Sequence, residues 1–227
     1  MGDQLSKSHG KRALVLALST IVMIGVVPAS PALAYDGQGA SNYAEYWWNQ
    51  RNSNYPSYSQ DCANFVSQAL HSGGGFSYVN RLAYAQDDHN WWAWWSLRTG
   101  FRVSNSFVRV QNLYNFLLWH YPGGYPYGSA HTFEEQVYPY TPDAIVGGDV
   151  LFYDFDGTGL ANGHAALQVT TIDWEDWSPD MRNGQLYGNL VNTHTTDRHH
   201  AFWSLFSYNS RWPTTTVYFM HIAESNT

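Results

Sequence analysis

Apolar positions along the 227-residue chain change rhythm near its middle, from helical spacing in the first half to alternation in the second. In SNYAEYWWNQRN, from Ser41, the side chains of Tyr43, Tyr46, Trp47 and Gln50 fall on one face of a helix, and the turn-rich stretch from Asn52 to Ser57 ends it. A second helix is predicted in SQDCANFVSQAL, residues 59 to 70. There Asp61 is placed to cap it, Phe65, Val66, Ala69 and Leu70 form its apolar stripe, and Gly73, Gly74 and Gly75 stop it. Residues 76 to 102 read as an aromatic loop with WWAWW at 91 to 95. A third helix is predicted from about Ser106 to His120 on the stripe Phe107, Val110, Leu113 and Leu117, before YPGGYPYGS breaks the chain.

Beyond that break the segments are extended. Strands are predicted at 148–154 (GDVLFYD), 164–172 (HAALQVTTI), 186–194 (LYGNLVNTH) and 216–222 (TVYFMHI), each rich in β-branched or aromatic residues and bounded by Gly, Pro, Asn or Asp. Helices first and strands after is the order of an α+β domain, with N-terminal helices packed on a C-terminal antiparallel sheet. No internal repeat, charge block or linker interrupts it, so residues 35 to 227 read as a single domain.

The first 34 residues stand apart. Lys7, Lys11 and Arg12 precede the apolar run from Ala13 to Val27, and a small-residue stretch ends in Ala32-Leu33-Ala34. This pattern predicts a secretory signal peptide cleaved after Ala34, hence a secreted protein with no membrane anchor once the leader is removed. A spanning helix needs about 20 apolar residues, and this run is shorter and followed by Pro28 and Pro31. The mature chain would carry eight basic residues, all arginine, against 17 acids, a formal charge of −9. Such a balance excludes nucleic acid as the expected partner, because that binding rests on cations neutralising phosphates.

Export changes the meaning of Cys62, the only cysteine of the chain. Secreted proteins pair their cysteines, and this one has no mate, which makes it a candidate reactive thiol. Its place directly after the cap puts it where unpaired backbone N–H groups and the helix dipole favour a thiolate and could hold an oxyanion. Asp61 next to it acts in the opposite sense. An activating histidine is also required. Of the nine histidines after the leader, His164 is best placed, since it follows a glycine and opens the strand HAALQV. A third group would orient its ring. Asn192 and His194, two apart and so on one face of the strand LVNTH, are candidates, as is Asp197.

These residues resemble a known family. DCANFVSQALHSGG, followed by GGDVLFYD, GHAALQV and VNTHTTD, is similar to the bacterial putative amidase domain family, whose members pair a D-C-x-N-F-x-S-Q helix with a G-D-V strand and a histidine-led strand. The resemblance extends to SFVRVQNLYNFL and TVYFMHI. It departs at Gly163 and Phe107, where members often carry an acid and a tryptophan. It implies a papain-like α+β fold, a cysteine hydrolase needing no cofactor, Cys62 as nucleophile, His164 as its partner and His194 at the third polar position. By the same analogy Gln60 is a candidate second oxyanion donor. The expected substrate is an amide or peptide, peptidoglycan peptides among them.

Other signals are weaker. DFDGTG, Asp154 to Gly159, resembles the start of a calcium loop, yet its twelfth position is Ala165, so a tight turn between strands is expected. His199-His200, and His131 with Glu134, lack a metal-binding spacing and read as exposed loop histidines, with no metal site expected. The four tryptophans at 91, 92, 94 and 95 suit either a binding cleft or a core under a loop. Two other functions are compatible with the same residues: a non-catalytic carbohydrate- or peptide-binding module, and an acyltransferase using the same thiol.

Overall fold

The computed structural model describes residues 35–80, 85–118, 128–133, 145–172, 188–205 and 208–223. The leader, the end of the third helix beyond Leu118 and Glu134 lie outside them, and of His131 only the backbone is described. Helix α1 (Gly37–Trp47) and helix α2 (Cys62–Gln68) come first, then a two-stranded hairpin, β1 (Ala93–Ser96) and β2 (Gly100–Val103). Two helices follow, α3 (Asn105–Val108) and α4 (Val110–Leu118). Six strands complete the chain: β3 (Gly128–Phe133), β4 (Val150–Asp154), β5 (His164–Ile172), β6 (Gly188–Thr193), β7 (Arg198–Phe202) and β8 (Thr216–Ile222). They form one antiparallel sheet in the order β3-β8-β4-β5-β6-β7. This is the α+β arrangement expected from the pattern, and no helix among the described residues is long and apolar enough to cross a membrane.

Helix α1 begins where Asp36 caps it, its Oδ1 accepting the Gly39 N–H at 2.9 Å. It crosses the end of α2 so closely that a Cβ on Gly73 would lie 2.5 Å from Gly39 O, which is why small residues meet there. Helix α2 is buried along its whole length and runs on through a π turn at Ala69–Gly73, closed by Gly74 N–H to Ala69 O. Phe65 is fully buried, and removing a side chain of that size from water contributes about 2–3 kcal/mol. Against this layer lie Phe152, Ala165, Leu167 and Met220 of the sheet.

The predicted third helix is two helices, because Arg109 adopts an extended conformation between them (φ −119°, ψ 132°). The aromatic loop contains the β1–β2 hairpin. Trp91 and Trp92 are fully buried, whereas Trp94 is 41% and Trp95 58% exposed, so the four tryptophans divide between core and surface. DFDGTG is the expected turn between strands: the Asp154 carboxylate accepts from Thr158 N–H and Gly159 N–H at 3.0 and 2.7 Å.

Two register shifts flank β6, one from an extra residue of β5 between Gln168 and Thr170 and one from an extra residue of β7 opposite Val191–Thr193. Between them Leu167 pairs with Asn192. Past that pair the ladder of β5 and β6 stops, and Ala165 and Thr193 approach through side chain and backbone only. This unladdered end lies under the first turn of α2.

Candidate functional site

Cys62 opens α2 and is almost completely buried. Thr195 holds the chain entering the helix: its Oγ1 accepts from Asp61 N–H at 2.9 Å and Cys62 N–H at 3.2 Å. The Ala165 N–H, the Thr195 hydroxyl and the N–H groups of Ala63 and Cys62 favour the thiolate, but burial outweighs them and pushes the thiol above its ordinary value. The sequence-based expectation of a sulfur ionised by its helix end is therefore corrected. The helix is only seven residues long, its first N–H is engaged by Thr195, and desolvation wins.

His164 immediately precedes Ala165, whose N–H acts on the sulfur. Side chains alternate across a strand, so the two residues face opposite ways. Ala165 faces the helices, while His164 lines a cavity of about 340 Å³ on the other face, with Tyr153, Ala166, Thr193, Thr195, Arg198 and Tyr208 among its walls. His164 Nε2 lies 2.8 Å from Thr193 Oγ1. That hydroxyl also lies 2.8 Å from Ala165 O, and a carbonyl can only accept. The network therefore assigns the Thr193 proton to Ala165 O and a proton to His164 Nε2, which leaves the lone pair on Nδ1. Desolvation, with the charge of Arg198, lowers the ring from 6.5 to about 4, so it is neutral at pH 7.

The other candidate histidine is saturated. His194 Nδ1 bonds to Asp61 Oδ2 at 2.9 Å, Nε2 bonds to Trp47 O at 2.8 Å, and the ring stacks on Phe65 with centroids 4.0 Å apart. Asp61, fully buried, spends no oxygen on capping the helix. Its carboxylate instead takes Arg51 Nε at 3.1 Å and His194, and on its other oxygen Asn64 Nδ2 at 2.8 Å and Tyr58 N–H at 3.2 Å. Among the described residues the His164 ring is bonded to Thr193, and neither His194, Asn192 nor Asp197 reaches it. Asn192 ties Ala44 O to His200 N–H. Asp197 pairs with Arg51 at 2.7 Å on the surface, and Gln60 is exposed on the approach to α2.

A family model described as "putative amidase domain" matches residues 34–220. The chain belongs to this family. A relative named "Uncharacterized protein YhbB", from Bacillus subtilis (strain 168), is 29% identical over 198 residues, which is 86% of this chain and 53% of the relative. The chain thus spans about half the length of the curated relative it matches. No solved structure matches it significantly.

Within this amidase-family chain, the residue that sequence reasoning missed is Thr193. Its signal was present in VNTHTTD as a polar residue of opposite parity to its neighbours, but only the β5–β6 register says which parity faces His164. His199 and His200 are also placed differently from expectation, since both belong to β7 and both meet Glu45 of α1.

Proposed function

We propose that the protein is a cysteine-dependent amidohydrolase of papain-like type in which Cys62 attacks an amide or peptide carbonyl. The observation that carries this reading is the convergence at one end of β5 of a thiol, in touch with the Ala165 N–H, and a neutral imidazole that opens into a cavity. Thr193, by accepting from Nε2, presents Nδ1 as the proton acceptor. Both groups are neutral at rest. Because thiol and ring lie on opposite sides of the unladdered end of β5, the proton that sulfur loses as it bonds to the carbonyl carbon reaches Nδ1 through water at that end. The imidazolium, a strong acid in this setting, then protonates the departing amine, and water hydrolyses the thioester.

The cavity favours a substrate with a negative group near the scissile bond. Arg198 lies over the Tyr208 ring at 4.5 Å and has no acidic partner among the described residues, while the buried Tyr153 hydroxyl that lines the same cavity has no hydrogen-bond partner there. Peptidoglycan stem peptides, which carry free carboxylates, fit that demand, and a leader on residues 1–34 would deliver the protein to them. Hydrolysis is preferred over acyl transfer because no second acceptor site is needed for water.

Cys62→Ala is expected to lower amide hydrolysis at least 10³-fold while leaving circular dichroism and melting temperature unchanged. A fully active variant would sink the reading. Alkylation of Cys62 by iodoacetamide, followed by mass spectrometry, separates the reading from a binding module: native protein should react on the folded molecule, and labelling confined to unfolded chains favours the module.

A further inference from the structure

We propose that Glu45, His199 and His200 form a surface site for a borderline transition-metal dication such as Zn²⁺. The three side chains come from α1 and from β7, the edge strand of the sheet, and their ligand atoms all lie within 4.8 Å of one another. His199 Nε2 lies 2.7 Å from Glu45 Oε2, and His200 Nε2 lies 2.8 Å from Glu45 Oε1. Two ligands about 2.1 Å from one ion are about 3.0–3.4 Å apart between right-angled and tetrahedral geometry, so an opening of about half an ångström turns these hydrogen-bonded spacings into edges of a coordination shell. Two imidazoles and one carboxylate select zinc, nickel, cobalt or copper over calcium and magnesium, which prefer all-oxygen shells.

Three features argue for a built site beyond a chance ion pair. Successive residues of a strand point to opposite faces, yet both rings reach the same carboxylate because His200 sits at φ 50°, in the left-handed region that non-glycine residues rarely adopt. Asn192, fully buried, bonds both Ala44 O and His200 N–H and so fixes the two backbones that carry the ligands. Trp48 stacks on His199 at 4.9 Å and His199 on His200 at 3.9 Å, which orients both rings. Without an ion both Nε2 atoms must donate to one carboxylate, leaving two parallel N–H dipoles side by side. A dication takes the place of both Nε2–H groups once each neutral ring shifts its proton to Nδ1, and so removes that repulsion. The remaining coordination positions open to solvent, because the histidines are 37% and 42% exposed. Bound there, the ion clips α1 to the sheet edge.

Isothermal titration with Zn²⁺ on untagged Cys62→Ala protein, which removes the competing thiol, tests this directly. Binding of one ion per chain with low-micromolar affinity is expected, with a higher melting temperature in zinc and no comparable effect of Ca²⁺ or Mg²⁺. Glu45→Gln should weaken binding at least tenfold, and the double variant H199A/H200A at least 30-fold while losing the thermal shift. Binding that needs more than about 100 μM Zn²⁺, or that survives in the double variant, would overturn the site. The Cys62→Ala background keeps this result independent of the hydrolase reading.

Discussion

Two histidines about 30 residues apart occupy opposite faces of the same sheet and show what burial alone does not decide. His194 is sealed under α1 and α2, with a carboxylate on one nitrogen and a carbonyl on the other. His164 gives one nitrogen to Thr193, has no hydrogen-bond partner on the other among the described residues, and lines a cavity. The first ring has no capacity left and can only hold elements together. The second has one lone pair uncommitted and a neutral resting state, which is what proton transfer requires.

Replacing each ring separates these roles. His164→Gln should lower kcat/KM by about 10³-fold with little change in melting temperature, read by amide hydrolysis beside thermal melts. His194→Leu should do the reverse in kind: it strips a donor from the fully buried Asp61 carboxylate and is expected to cost about 3 kcal/mol in urea unfolding, with activity falling only as the fold is lost. Equal effects of the two substitutions on stability would erase the distinction.

A smaller effect is expected at Thr193. Thr193→Val removes the oxygen that fixes the His164 tautomer and should lower kcat about tenfold and shift its pH profile, whereas Thr193→Ser should restore both. Smallest is the pH dependence of stability. Because His164 titrates near 4 in the folded protein and near 6.5 when unfolded, the unfolded chain binds more protons between those values. Stability should therefore fall as pH drops from about 6.5 toward 4, and His164→Gln should flatten that slope in thermal melts.

Much of this comparison was legible in the chain. The 164–172 and 216–222 strands coincide with β5 and β8, and the helix bearing Cys62 begins at that residue, because runs of β-branched and aromatic residues and an apolar stripe at helical spacing are strong local signals. The hairpin strands β1 and β2, four residues each, and β7, with two histidines in five residues, carry no such pattern and form through pairing with neighbours. Parity explains the missed partner of His164. Asn192 and His194 do share a face, as their spacing implies, but Leu167 pairs with Asn192 and so that face belongs to the helices. Arg109, which divides the third helix, is an ordinary helix former, and nothing in its type announces the break.

The two irregularities on either side of β6 act as a pair of stops on a sliding rod. Moving this strand by a single residue would carry an imidazole whose two nitrogens are both engaged into the cavity and bury a threonine among the helices, exchanging a working face for an inert one. A one-residue deletion between Val191 and Thr193 would therefore be far more harmful than any conservative replacement there, since it would change which side of the wall every following side chain is on.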